Sequence, residues 1–277
     1  MNTVRTRSGA ELSLLGQGTW GMGEDARRRR DEVSSLQLGL DLGMTLMDTA
    51  EMYGDGGAEE VLGMALRGRR ERAFVVTKVL PQNASREGTL EAADASLRRL
   101  QTDRIDLYLL HWRGIHPLEE TLEAFVRLQE AGKVLHYGVS NFDVDDLEEL
   151  EKLPGTAAIC ADQVLYNLQR RAAEDRVLPW CRRHGVAVMA YSPLEQARLP
   201  TEGALQQVAT RCNVSAYQVA LAWTLRRPGV VTIPKASSAV HVRENAAAAA
   251  LRLEPEDLTE LDATFPPPAA GAPLETL

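Results

Sequence analysis

Between Leu14 and Leu251 the chain alternates eight times between a short apolar run and an amphipathic stretch, and few folds can carry that rhythm. The runs are "LLGQGTW" (14–20), "MTLMD" (44–48), "AFVVTKV" (73–79), "IDLYLLH" (105–111), "VLHYGVS" (134–140), "AICADQV" (158–164), "VAVMAYS" (186–192) and "GVVTIP" (229–234). Each is too short for a helix and nearly continuous in apolar residues, as expected of a parallel strand buried on both faces. The stretches between them follow helical spacing. Val33, Leu36 and Leu40 fall on one helix face, and so do Leu90, Ala93, Leu97 and Leu100. Further helices are expected over 58–66, 85–100, 118–131, 143–150, 172–183, around 202–226, and over 243–251 as the last. Eight βα units are the number that closes a (β/α)8 TIM barrel, at a typical length of about 250 residues.

Residues 1–277 are expected to form this one domain. "VRTRSGAELSLLG", with Ser8-Gly9 at its middle, reads as an N-terminal β-hairpin. "FPPPAAGAPLETL" carries too much Pro and Gly for a helix and reads as a short irregular C-terminal tail. A net charge of −8 argues against nucleic acid. The run Arg27–Arg30 lies among Glu24, Asp25, Asp31 and Glu32, so it reads as a solvated helix face rather than a phosphate site. Cys160, Cys181 and Cys212 are scattered and odd in number, which fits neither a disulfide framework nor a zinc knuckle. Without a signal-like or membrane-length apolar segment, a cytoplasmic protein is expected, with no membrane or nucleic-acid partner.

"LLGQGTWGMG" offers a competing reading, because Gly16, Gly18 and Gly21 spell the dinucleotide fingerprint G-x-G-x-x-G. That motif needs a helix starting at its later glycines, so that helix N–H groups face the pyrophosphate. Here apolar helical spacing begins only near Val33. The fingerprint is therefore read as a decoy.

In a barrel of this kind the active site lies at the C-terminal ends of the strands. Those ends carry Trp20, Asp48, Lys78, His111, Ser140-Asn141, Gln163, Tyr191-Ser192 and Lys235, with Tyr53 just beyond. Each alone has an ordinary structural explanation; together on one face they suit carbonyl reduction. That reaction needs a hydride at carbon and a proton at oxygen. Tyr53 can give the proton, Lys78 can ease its release, Asp48 can hold Lys78, and His111 can orient the carbonyl. No metal is needed, and no metal-ligand spacing such as H-x-H or H-E-x-x-H is present.

These residues resemble the aldo-keto reductase superfamily over nearly the whole chain. "MDTAEMYGDGGAEEVLGMAL" (47–66) resembles the family signature, "VVTKV" its lysine strand and "RIDLYLLHW" its histidine strand. "GKVLHYGVSNF", "DQVLYN", "AYSPL" and "IPKASSAVHVRENAAA" resemble its cofactor segments. The resemblance implies a catalytic tetrad of Tyr53, Asp48, Lys78 and His111. It implies that Ser140, Asn141 and Gln163 bind the nicotinamide carboxamide and that Tyr191 stacks on the ring. Ser192 and Leu194 would contact the pyrophosphate, Glu244 and Asn245 the adenine, and Gly18, Thr19 and Trp20 would form the floor. Trp20 and Trp112 would line the substrate pocket.

Cofactor choice is where the chain departs from the family. Many members place a serine after the lysine matched by Lys235 and an arginine six residues beyond that lysine, whereas this chain has Ala236 and His241. Lys235, Ser237 and Ser238 remain as phosphate contacts, with Arg243 nearby in sequence. NADPH is the expected cofactor, with NADH as the alternative. The expected activity is reduction of small dicarbonyls and aromatic aldehydes by a monomer. The competing reading is a redox-sensing or regulatory protein that binds the cofactor without turnover.

Overall fold

Eight parallel strands form one sheet in sequence order in the computed structural model, which describes residues 2–277, the side chain of Ala157 excepted. A hairpin of β1 (Thr3–Arg5) and β2 (Glu11–Ser13) precedes it, paired Thr3 to Ser13. The barrel strands are β3 (Gln17–Gly18), β4 (Leu46–Asp48), β5 (Phe74–Val79), β6 (Ile105–Leu110), β7 (Val134–Ser140), β8 (Ile159–Leu165), β9 (Ala187–Tyr191) and β10 (Val230–Thr232). Helices α1 (Arg29–Asp41), α2 (Gly57–Ala65), α3 (Arg86–Leu100), α4 (Leu118–Glu130), α5 (Val144–Glu151) and α6 (Val177–His184) follow successive strands. After β9 come α7 (Ala204–Cys212) and α8 (Ala216–Leu225), and after β10 come α9 (Ala239–Ala248) and α10 (Pro255–Thr264). This is the (β/α)8 barrel that the alternation predicts.

The last strand meets the first through bonds from Gly16 N to Thr232 O at 2.8 Å, Thr232 N to Leu14 O at 2.8 Å and Gly18 N to Pro234 O at 3.1 Å. That closure explains Gly18. A Cβ there would lie 2.7 Å from the Ile233 carbonyl oxygen, so any side chain would push the seam apart. The glycine of the apparent fingerprint therefore serves backbone packing.

The period-two alternation of strands then decides where polar groups emerge. Leu46, Val76, Leu107, Leu109, Ala161, Met189 and Val231 fill the barrel interior, with Ala10 and Leu12 of the hairpin packed against them. Two residues beyond Leu46, Val76, Leu109, Ala161 and Met189 stand Asp48, Lys78, His111, Gln163 and Tyr191. Each strand thus runs apolar through the core and delivers one polar side chain to the same mouth. On the outer faces, Leu62, Val75, Leu97, Tyr108, Phe125 and Trp223 join the larger core between strands and helices.

Two expectations about elements need correction. Regular pairing in the first strand is confined to Gln17–Gly18, with Leu15 bridging to Thr232, because the chain turns away at Gly21 and Gly23. The stretch 202–226 holds helices as expected, two of them, divided where Asn213 is left-handed at φ 53° and Ser215 opens a capping box with Gln218. The last helix is α10, not 243–251; Pro255 in its first turn and reciprocal bonds between Glu254 and Asp257 start it. No helix among the described residues is long and apolar enough to cross a membrane.

Candidate active site

A cleft of about 760 Å³ opens at the C-terminal mouth of the barrel. At its floor the Lys78 Nζ donates to Asp48 Oδ2 at 2.9 Å, to the Thr49 carbonyl at 2.8 Å and to the Tyr53 hydroxyl at 3.1 Å. Lys78 comes from β5, Asp48 from the neighbouring end of β4, and Tyr53 from the turn that follows it. All three are buried. Removing either member of such an ion pair strands a charge in the interior, which costs about 3–5 kcal/mol.

The charges follow from this geometry. Burial works against the Lys78 ammonium, but Asp48 and Tyr53 together outweigh it and hold its pKa above the usual lysine value. Burial pushes the Tyr53 hydroxyl up, and the pull of Lys78 offsets only part of that. Tyr53 is therefore a protonated phenol at neutral pH, with an ammonium placed to receive the charge when it loses its proton. Burial, and then Lys78, bring the His111 imidazole down to about 2, so it is neutral. Its Nδ1 is buried without a hydrogen-bond partner among the described residues.

Aromatic rings wall this end. Trp20 stands edge-on to Tyr53 with centroids 5.0 Å apart, and His111 lies 5.8 Å from Tyr53 and 4.8 Å from Trp112. Trp20 and Trp112 are both exposed at the mouth, with Met52 beside them.

Amide and hydroxyl groups occupy the next section. Gln163 Nε2 donates to Asp48 Oδ1 at 2.7 Å, and the Ser140 hydroxyl donates to the Gln163 carbonyl at 2.9 Å. Asn141 Nδ2 donates to the His111 carbonyl at 3.1 Å, and Asn141 Oδ1 accepts from the Tyr191 hydroxyl at 2.9 Å. Asn141 itself is left-handed, at φ 61°, which turns its amide toward these partners.

Residues 192–197 form a wall in which Ser192, Glu195, Gln196 and Ala197 all have positive φ, between 45° and 64°. None is glycine, and each such residue costs about 1–2 kcal/mol. Buried polar bonds hold the loop. Asn167 Nδ2 donates to the Ser192 carbonyl at 2.9 Å and to Glu195 Oε2 at 2.8 Å, while Arg170 pairs with Glu195 at 3.1 Å.

Most of the expected site residues line one cleft: Gly18, Trp20, Asp48, Tyr53, His111, Trp112, Ser140, Asn141, Gln163, Tyr191, Ser192, Leu194, Lys235, Glu244 and Asn245. Lys78 lies beneath its floor. Three are placed otherwise. Thr19 is buried, its hydroxyl bonded to the Asp48 carbonyl at 3.0 Å. Ser238 caps α9, and Ser237 accepts from Arg28 Nη2 at 3.4 Å. Sequence reasoning missed Glu24, Arg28, Gln196, Tyr217 and Leu277, which also line the cleft. The C-terminal tail reaches the site: Glu275 pairs with Arg170 at 2.8 Å, and Leu277 N donates to the Tyr191 hydroxyl at 3.3 Å.

A closed parallel barrel whose mouth gathers Asp, Tyr, Lys and His beside an amide-lined cleft defines a nucleotide-dependent oxidoreductase scaffold. Residues 14–265 match the Aldo/keto reductase family, and the chain belongs to it. Methylglyoxal reductase YeaE of Escherichia coli (strain K12) is 48% identical over 269 residues, 95% of each chain. Glyoxal reductase of Bacillus subtilis (strain 168) is 34% identical over 265 residues, 95% of this chain and 92% of its own. The crystal structure of an aldo/keto reductase from Klebsiella pneumoniae in complex with NADP and acetate superposes with a TM-score of 0.97 at 46% identity, covering 100% of this chain and 99% of that one.

Proposed function

We propose that this chain reduces small aldehydes and ketones, 1,2-dicarbonyls such as methylglyoxal among them, with NADPH as reductant and Tyr53 as proton donor. One observation carries the reading: the buried chain from Asp48 through Lys78 to the Tyr53 hydroxyl, ending at the cleft beside neutral His111. The relatives support the substrate class, since two are named for methylglyoxal and glyoxal reduction.

The donor set fits a dinucleotide. Ser140, Asn141 and Gln163 present hydroxyl and amide groups next to Tyr53, as a carboxamide requires, and Tyr191 offers a ring face. Ser192, Leu194, Lys235, Glu244 and Asn245 line the same cleft and offer contacts for the rest of the dinucleotide. A bound reduced nicotinamide supplies a hydride to the carbonyl carbon. His111 hydrogen-bonds the carbonyl oxygen and aims it at Tyr53. Tyr53 transfers its hydroxyl proton to that oxygen as charge develops there, and Lys78 stabilises the phenolate left behind. Asp48 keeps Lys78 in place, and solvent returns the proton to Tyr53. Trp20, Met52 and Trp112 hold the substrate by apolar contact at the mouth.

The test is oxidation of NADPH in the presence of methylglyoxal, glyoxal and a nitrobenzaldehyde. Turnover with at least one of them is expected. Tight cofactor binding with no turnover on any carbonyl would overturn the reading in favour of a non-catalytic cofactor-binding protein.

A further inference from the structure

Position 241, where the family resemblance implies an arginine on an adenosine 2′-phosphate, carries His241. Arg243 does not replace it, because its side chain is exposed and is not part of the cleft wall. A guanidinium nevertheless reaches this end from elsewhere. Arg28, directly before α1, lines the cleft together with Lys235 and His241. Its Nη2 lies 3.4 Å from the Ser237 hydroxyl, in the segment between β10 and α9.

Buried Glu32 orients this arginine. Glu32 Oε1 stands 4.0 Å from Arg28 Nε, and its Oε2 accepts from the backbone N–H of Gly23 at 3.0 Å. One carboxylate thereby bonds the turn after β3 and attracts the guanidinium of Arg28, whose Nη2 reaches Ser237. Lys235, which also lines the cleft, is half-buried, with no hydrogen bond or ion pair among the described residues. Burial, and then the charge of Arg28, lower its pKa. Glu24 and Glu244 also line this cleft, but neither pairs with Arg28 or Lys235. Glu32 offsets part of this charge from the Arg28 side, 4.0 Å from its Nε, whereas the Lys235 ammonium is unpaired among the described residues, and a dianionic ligand between the two cations relieves their repulsion.

Resting on the reading that the cleft holds a nicotinamide dinucleotide, we propose that Arg28 is the residue that selects NADP(H) over NAD(H): with Lys235 it clamps the adenosine 2′-phosphate, supplying from the β3–α1 loop the guanidinium missing at position 241. A planar guanidinium can give a phosphate two parallel charge-assisted bonds, which an ammonium cannot reproduce. The run Arg27–Arg30 is therefore not uniformly a solvated face. Arg27 pairs outward with Asp25, whereas Arg28 faces the site.

The test is direct binding of NADP⁺, NAD⁺, 2′,5′-ADP and 5′-ADP, measured by calorimetry and tryptophan quenching. Wild type, Arg28→Ala, Arg28→Lys and Arg28→Ala with His241→Arg are compared, their folding checked by melting temperature. In Arg28→Ala the affinity for NADP⁺ and 2′,5′-ADP should fall roughly 10- to 100-fold, as loss of a charge-assisted pair implies, while NAD⁺ and 5′-ADP move by less than about twofold. Arg28→Lys should fall between, and His241→Arg should restore selectivity to Arg28→Ala. Equal losses for NADP⁺ and NAD⁺ would place Arg28 on the shared pyrophosphate and overturn the assignment. So would an unchanged NADP⁺ to NAD⁺ ratio, which would leave the reductase reading intact. A wild-type protein that binds neither dinucleotide would remove the reading itself.

Discussion

Gln163 and Asp48 stand 115 residues apart in sequence and 2.7 Å apart in space, the amide nitrogen of one donating to the carboxylate of the other. The bond joins the amide-lined section of the cleft to the ion pair beneath Tyr53. Asp48 has one oxygen on Lys78 and the other on Gln163, so its carboxylate is held from both sides at full burial. Gln163→Leu keeps the volume and leaves one Asp48 oxygen without a donor. That should cost about 1–3 kcal/mol of stability, as an unsatisfied buried acceptor does. Cofactor affinity should weaken in parallel, since the same side chain faces the cleft. Thermal melts and dinucleotide titrations on one preparation check both; a loss of stability with unaltered affinity would confine Gln163 to supporting Asp48.

Tyr53→Phe removes the proposed proton donor and keeps the ring that packs against Trp20 and His111. General-acid contributions are typically about 10²- to 10⁴-fold, so kcat should fall within or beyond that range. Cofactor affinity, read by tryptophan quenching, should stay within about twofold. A variant that reduces methylglyoxal at the wild-type rate would show that the proton comes from elsewhere.

The sign of the His111 shift makes a separate prediction. Its folded pKa is about 2, and its unfolded value is near 6.5. Between these limits the unfolded chain binds a proton that the folded chain does not. Stability from this group is therefore complete above about pH 6.5 and declines as the pH falls, by at most about 1.4 kcal/mol per unit. Melting curves of wild type and His111→Asn at pH 7.5 and 5.5 measure it: the acid-side loss should be shallower in the variant. In the same window the imidazole of His111 should not titrate by NMR. A midpoint near 6 would mean that the ring carries charge in the folded protein.

How far the chain reveals itself before folding depends on the range of the interactions involved. Strand positions and the polar residue ending each interior run follow from local alternation, which is why Asp48, Lys78, His111 and Gln163 can be picked out together. Arg28 cannot be. Its orientation depends on Glu32, on the Gly23 backbone and on Ser237, more than 200 residues later, and composition alone makes it one of four arginines on a helix start. The loop at 192–197 is equally hidden: its left-handed residues are not glycines, and contacts with Asn167 and Arg170 stabilise them. The tail misleads for a related reason. Proline and glycine correctly exclude a helix there, but they do not reveal that Glu275 meets Arg170 or that Leu277 reaches Tyr191.

Asp162 adjoins Gln163 on β8 but faces away from the cleft; it is wholly buried, and neither oxygen has a hydrogen bond of good geometry among the described residues. Burial pushes its pKa well above the ordinary value; the backbone N–H of Phe142 opposes this, and Asp146 and Asp143 add to the rise. The folded protein thus keeps a proton that the unfolded chain releases near pH 4. Stability from this group is whole below that pH and is lost as the pH rises toward the folded pKa. Asp162→Asn is a neutral replacement of similar shape. It should have little effect on the melting temperature near pH 4 and raise it at pH 7–8, where the wild type must either hold a proton or bury a charge. Melts across this range decide the point. A variant destabilised equally at every pH would mean that Asp162 is ionised and held by a partner when folded.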